Sequence, residues 1–292
     1  MMGVKMTEDR GQRTETLDAN RAFQISSLKI VIKGAGEMAT GIAHRLFMAN
    51  FKHIVMTEIE QPVTVRRTVA FSESVYTGIS RVEDVTALLV KNVGEIPDVW
   101  RKNCIAVIVD PKWNIVETMK PDIVIDAIMA KRNIGTKKDE AQIVIGVGPG
   151  FTAPIDVHAV VESNRGHYLG RAIYNGFAEP HTGIPGPVMG ITAERVLRSP
   201  HAGIVKLVCD FGDKVKKGDV VMYVDSTPVL APIDGVVRGL IREIYVSADE
   251  KIGDIDPRGI KDYCYTITEK ARAIGGGVLE AMMHLIFEKI GA

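Results

Sequence analysis

The segment "LKIVIKGAGEMATGIAHRL", Leu28 to Leu46, does most to narrow what this chain can become. A short apolar run, rich in β-branched residues, meets a glycine turn, and a helical period starts at once through Met38, Ile42 and Leu46. A strand without polar alternation is a strand covered on both faces. Gly34, Gly36 and Ala39 stand in the Gly-x-Gly-x-x-Gly/Ala frame. The first position allows a tight turn, the second lets backbone approach a phosphate, and the third lets helix and strand pack closely. "HIVMTEIE" reads as the next strand, completing a βαβ unit with a right-handed crossover. Its Glu58 stands where an acidic residue meets a ribose hydroxyl, and Glu37 opens the helix whose N-terminus attracts anions.

Further strands are expected at "TVAF", "CIAVIVD", "DIVIDAIM" and "IVIGVG", with "RVEDVTALLVKN" as a helical or irregular connection and "YLGRAIYN" as a later strand. Strands alternating with helices predict a Rossmann-like, mostly parallel α/β sheet over residues 28–189. From residue 190 to 268, short β-rich runs divided by Gly-Asp, Pro and Asp-Gly predict a small β-domain. Residues 269–292 read as an amphipathic helix that packs back on the core, with Leu279, Met282, Met283, Ile286 and Ile290 along one stripe. Residues 1–27 are polar and read as a flexible tail without a signal peptide.

Lysines and arginines equal acidic residues at 36 each, which removes the whole-chain electrostatic footprint of a nucleic-acid or anionic-membrane binder. Cys104, Cys209 and Cys264 are odd in number and widely separated, and no run is long and uncharged enough to cross a bilayer. The expectation is a cytoplasmic protein with no metal site and room for an oligomer.

A second glycine turn, "IGVGPGFTAPIDVH", follows another apolar strand. Gly148 and Gly150 permit backbone geometries that aim consecutive N–H groups into an anion nest. "DAIMAKRN" brings Lys131, Arg132 and Asn133 to the same carboxyl edge, where ligands of parallel sheets gather. The two turns then form opposite walls of one anion-binding crevice; a pair of tight corners is the other reading. Asp156, His158 and His167 are candidates for acid–base or ligand roles, and no Ser-His-Asp or Cys-His arrangement is legible. Arg66 and Arg67 are phosphate candidates or a solvated edge. Asp254, Asp256 and Arg258 suggest an ion pair in a turn.

"GDKVKKGDVVMYVDSTPVLAPIDGVVRG" resembles the biotinyl/lipoyl hammerhead, or barrel-sandwich, fold. That family carries a modifiable lysine in the hairpin turn; Asp225-Ser226-Thr227 has none, which implies the shape without the swinging cofactor. Taken together, "GAGEMATGIAHRL", "EIEQPVTVRRTVAFSESVY", "DAIMAKRNIGT", "IGVGPGFTAPIDVHAVVESNRGHYLGR", "TGIPGPVMG", "KIGDIDPRG" and "KARAIGGGVLEA" resemble the YqeB-type selenium-dependent molybdenum hydroxylase accessory proteins. The likeness runs from about Leu28 onward, and its front half is similar to the XdhC-type maturation factors. It implies a maturation factor for a xanthine dehydrogenase type hydroxylase that binds molybdenum cofactor, as molybdopterin or its cytosine dinucleotide form, and meets hydroxylase subunits or other maturation proteins. It names no reaction. The family usually places Arg before the first glycines and Asp after them, where this chain has Lys33 and Glu37. Two other functions fit the residues: an oxidoreductase using NAD(P), and a non-catalytic adaptor docking on the hydroxylase.

Overall fold

The computed structural model describes residues 25–183 and 186–289. Most of the expected tail, and Ile290 of the terminal stripe, lie outside the described residues. Up to residue 177 the strands are β1 (Ile30–Lys33), β2 (Ile54–Glu58), β3 (Ile79–Val82), β4 (Val85–Val90), β5 (Ile105–Val109), β6 (Ile123–Asp126), β7 (Ile143–Val147), β8 (Thr152–Ala153), β9 (Ala159–Val161), β10 (Ala172–Ile173) and β11 (Gly176–Phe177). Nine of them form one sheet in the order β10-β9-β7-β6-β1-β2-β5-β4-β3, while β8 and β11 form a separate pair. Strand β1 lies at the centre because all four of its residues are buried, with Ile30 in register with Ile54 on one side and Ile123 on the other.

Helices α1 (Glu37–Met48), α2 (Ser74–Thr77), α3 (Ile96–Arg101) and α4 (Asn114–Met119) lie between these strands, and α5 (Glu269–Lys289) comes much later. One face of the sheet is covered by α1 and α5, which share a core with Ile30, Ile32, Ile125 and Ile145. The other face packs against α3, α4 and the loop around Phe151. Glycines set the approach of α1 to α5: a Cβ at Gly41 would sit 2.7 Å from that of Ala271, and one at Gly275 would sit 2.9 Å from the Gly41 carbonyl oxygen.

After residue 195 come β12 (Val196–Arg198), β13 (Gly203–Leu207), β14 (Lys214–Val215), β15 (Val220–Val224), β16 (Thr227–Leu230), β17 (Gly235–Leu240), β18 (Tyr245–Val246) and β19 (Lys251–Asp256). They make two four-stranded antiparallel sheets, β12-β19-β17-β14 and β16-β15-β13-β18, around a core of their own that includes Val221, Met222, Leu240 and Ile255. This β-rich part is stitched to the large sheet through Arg67, whose Nε donates to the Leu240 carbonyl at 2.7 Å. The Leu240 N–H in turn donates to the Val65 carbonyl at 2.9 Å, and Arg242 pairs with Glu73.

The expected Rossmann-like, mostly parallel sheet joined to a barrel-sandwich module is therefore corrected. The large sheet is mixed, with β3 and β10 antiparallel at its two edges, and the later strands divide between two antiparallel sheets. The physical reason is clearest at "RVEDVTALLVKN". Its β-branched residues make half of a hairpin, turning through Glu83 and Asp84 with Glu83 in the left-handed region at φ 51°, the conformation that two-residue hairpins need. A hairpin thus stands where a doubly wound fold would carry a crossover helix. "TVAF" likewise gives 3₁₀ turns rather than a strand, and "YLGRAIYN" contributes only the two residues of β10.

Candidate functional site

Two adjoining cavities open at the carboxyl ends of the central strands. Gly34 and Gly36 explain how backbone reaches this rim. Gly34 holds φ 91°, and a Cβ there would press on Ile128 Cα at 3.2 Å, so only glycine fits between β1 and β6. Gly36 is the N-cap of α1, with φ −68° and ψ −176°, and no side chain caps the helix. The first N–H groups of a helix lack intrahelical acceptors and carry the positive end of its dipole. Both features make this end a polar donor surface.

The smaller cavity, about 420 Å³, is lined by Gly34, Gly36, Glu58, Asp110, Trp113 and Thr57 among others, and by no lysine or arginine. The Glu58 carboxylate accepts the Ala35 N–H at 3.0 Å and the Ile59 N–H at 2.9 Å. Burial pushes its pKa up, against the pull of those two donors. Asp110 caps α4 by accepting the Ile115 N–H at 2.8 Å. A carboxylate has about four acceptor sites, so each keeps capacity toward the cavity. Thr57 Oγ1 is buried without a hydrogen-bond partner among the described residues, a condition that costs stability unless something fills the cavity and pairs with it.

The larger cavity, about 600 Å³, lies between the sheet edge, the β-rich part and the start of α5. It shares Glu37, Met38 and Met129 with its neighbour. Its wall carries eight lysines and arginines against five carboxylates. Arg66, Arg195 and Arg238 are 4%, 6% and 7% exposed. Asp254 binds two of them, with Oδ1 2.5 Å from Arg195 Nη1 and Oδ2 2.7 Å from Arg238 Nη2. Burial, the largest single influence, pushes the Asp254 carboxyl up, but Arg238, Lys251 and Arg195 together hold it below its usual range. Arg66 gives Nη2 to the Tyr263 and Thr266 carbonyls and stands 3.5 Å from Glu37.

The residues singled out from sequence divide sharply. Gly34, Gly36, Glu37 and Glu58 meet at the smaller cavity, and Lys131 reaches the larger one. Asn133 does not face a ligand site: its Oδ1 accepts the Gly135 and Thr136 N–H groups, closing its own turn. Arg132 is exposed and lines neither cavity. The second glycine turn is tightly packed, and Gly150 lines a separate shallow cavity with Lys131, Pro149 and His181. The Gly148 N–H is taken by the Val161 carbonyl at 2.8 Å, and a Cβ at Gly150 would lie 2.4 Å from Arg132 Cα. One residue of that turn, Pro149, does reach the larger cavity wall.

His158 sits at the amino end of β9, away from the rim, with Nδ1 accepting the Val144 N–H at 2.9 Å. Burial first, then Lys289 and Lys138, pushes its pKa down to about 4. Asp156 accepts the Thr152 N–H, and His167 stands edge-on to Tyr168 with ring centroids 5.0 Å apart. None of these three lines either cavity. No cluster of three or more His, Cys, Asp or Glu able to hold a metal ion occurs among the described residues, and no described helix is long and apolar enough to cross a membrane. Arg258 pairs with Asp256 at 2.7 Å.

Lys33 and Asp126, neighbours in register, lie beneath the rim. Lys33 Nζ donates to Thr136 Oγ1 at 2.8 Å and meets Glu140 Oε2 at 2.7 Å, with the Trp113 ring 4.2 Å away. Thr136 Oγ1 in turn donates to Asp126 at 2.6 Å, and burial raises the Asp126 pKa. Sequence reading passed over Asp110, Trp113, Lys251 and Lys270. Asp110 ends the run "CIAVIVD" just beyond β5, so the rule that ligands gather at strand carboxyl ends would have found it. The two lysines arrive from distant parts of the chain and left no local signal.

No protein-family model matches the chain. Among solved structures, an aspartoacylase family protein from Mesorhizobium loti overlaps 72% of this chain and 58% of its own, at 12% identity and a TM-score of 0.23. A succinylglutamate desuccinylase from Silicibacter sp. TM1040 overlaps 78% and 84%, also at 12% identity and a TM-score of 0.23. At such scores the overlaps carry no functional weight, and they lend nothing to the Rossmann and barrel-sandwich arrangement set aside above. An Escherichia coli (strain K12) protein described as uncharacterized protein YqeB is 47% identical over 264 residues, 90% of this chain and 49% of that protein. The chain thus spans about half the length of this curated relative. Over its matched length, this chain is closely similar to YqeB.

Proposed function

We propose that this protein is an accessory factor that binds a phosphate-bearing heterocyclic cofactor at the carboxyl edge of its large sheet, and that the cargo is molybdenum cofactor destined for a molybdenum hydroxylase. The observation that carries the reading is the joined pair of cavities: one lined by carboxylates and Trp113, the other cationic, meeting at the uncapped start of α1. A pterin presents an amino group and a ring N–H along one edge, two donors that match an acceptor-only carboxylate such as Glu58 or Asp110. The orphaned Thr57 hydroxyl fits the same polar heterocycle. A phosphate attached to that ring would reach toward the α1 N-terminus, Arg66 and Lys131, where charge-assisted contacts are strong. The cytosine dinucleotide form, with its pyrophosphate and second ring, suits the combined volume as well. The family resemblance supports the hydroxylase and other maturation proteins as partners.

Trp113 provides the assay. Purified protein titrated with molybdopterin and with its cytosine dinucleotide form is expected to show a saturable change in Trp113 emission. A flat response to both removes the proposal. NAD(P) remains the second ligand class on the strength of Gly34, Gly36 and Glu58; saturation by NAD or NADP with indifference to both pterin forms would favour it.

A further inference from the structure

The larger cavity has a far wall that the reading above does not use. Lys251, the first residue of β19, and Lys270, in the first turn of α5, both line it. Neither Nζ has a hydrogen bond or ion pair among the described residues, and both side chains are partly buried rather than spread on the surface. Behind them stand Arg195 and Arg238, both more than nine-tenths buried, each with an Nε that finds no acceptor. Asp254 divides its two oxygens between Arg195 and Arg238, and Asp256 pairs with Arg238 at 3.0 Å and with Arg258 at 2.7 Å, so neither carboxylate makes a direct pair with the two lysines. Burial lowers the pKa of both lysines, even though Asp254 and Glu37 act to raise that of Lys251 and Glu37, Glu162 and Glu269 that of Lys270. Partly buried ammonium groups without a direct partner are costly, and two of them on a wall where cations outnumber carboxylates favour an anionic ligand.

We infer that Lys251 and Lys270, backed by Arg195 and Arg238, form a second oxyanion subsite, separate from the α1 N-terminus, that takes a phosphate or pyrophosphate group. The subsite draws on β12, β17 and β19 with their flanking residues and on α5, whereas the α1 end belongs to the large sheet. A ligand filling both carries two anionic groups and ties the β-rich part to the sheet. The inference does not require the cargo to be a pterin.

The test is calorimetric titration of the full chain with inorganic pyrophosphate, followed in parallel by the ¹⁵Nε resonances of Arg195 and Arg238. Wild type is expected to bind pyrophosphate and shift both resonances. Lys251→Met and Lys270→Met should each weaken binding about ten-fold or more, the scale of one lost charge-assisted contact, and Lys251→Arg should restore most of it. Because the two lysines lie on different elements, misfolding of one variant, seen by circular dichroism, leaves the other to decide. Unmoved arginine resonances in wild type, or wild-type affinity in both methionine variants, overturns the subsite. Gly36→Asp separates the two readings. Pyrophosphate binding that survives this change supports the subsite even where pterin forms leave Trp113 emission flat, and loss of pyrophosphate binding in Gly36→Asp alone overturns it.

Discussion

Replacing Gly36 with Asp puts the α1 end to the sharpest use. The backbone there, at φ −68°, accepts any L residue, and a Cβ would meet nothing closer than Thr64 Oγ1 at 3.6 Å. Asp is among the preferred N-cap residues, and its advantage over Gly at that position is only a few tenths of a kcal/mol. Repulsion from Glu37 and Glu58 works against that gain, so the folded state should change by less than about 1 kcal/mol in urea unfolding. The ligand should suffer far more. A carboxylate at about 4 Å from a phosphate charge costs about 1 kcal/mol in water and about 4 kcal/mol at an effective dielectric of 20. The new side chain also consumes the N–H groups offered to the ligand. Affinity for molybdopterin should therefore fall about ten-fold or more, while Gly36→Ala, which adds no charge, should stay within about three-fold of wild type. The assay is Trp113 emission in a Trp100→Phe background, since Trp100 is tied to the Ile54 carbonyl and reports from elsewhere. Wild-type affinity in a well-folded Gly36→Asp protein would show that no anion sits on α1.

The second glycine turn should behave in the opposite way. Gly150→Ala forces a Cβ to 2.4 Å from Arg132 Cα at φ 112° and is expected to destabilise by about 2 kcal/mol or more in urea, with the ligand affinity of the remaining folded protein little changed. Lys33→Met leaves Glu140 without its buried partner and should cost about 3 kcal/mol, measured the same way; an unchanged midpoint would refute the pairing. For His158, the unfolded chain gains a proton near pH 6.5 while the folded chain resists until about 4. Folded stability should therefore decline as pH falls through that window and be flat above it, and His158→Gln should remove part of the slope.

How far the sequence could be read depended on whether a residue's role is local. Strand β1 and the turn after it were legible because burial on both faces and the Gly34 constraint are written in adjacent residues. The same logic failed at Val85–Val90. A run of β-branched and apolar residues serves a helix or an edge strand alike, and the deciding factor was a two-residue turn at Glu83 whose left-handed backbone has no glycine to announce it. That miss changed the fold class, from a doubly wound sheet to a mixed one. Gly148 and Gly150 were recognised as special, but glycine signals close approach and ligand access with the same letter; the Val161 carbonyl takes the Gly148 N–H and the Arg132 backbone crowds Gly150. Arg66 read, with Arg67, as a phosphate candidate or part of a solvated edge; the chain 174 residues later, at Leu240, runs alongside it, and it is buried. Lys251 and Lys270 owe their importance wholly to such distant pairing.

The glycine contact between α1 and α5 bears on when this molecule can fold at all. Helix α1 is synthesised well before its packing partner, and its surface at Gly41 is shaped for a helix that begins at residue 269. Until that late segment has been translated, Ile30, Ile42 and Ile145 lack the cover that Ile274, Val278 and Met282 provide. Contacts of such long sequence separation slow folding and leave apolar surface open meanwhile. That face of the sheet can therefore close only after the segment of α5 has been made.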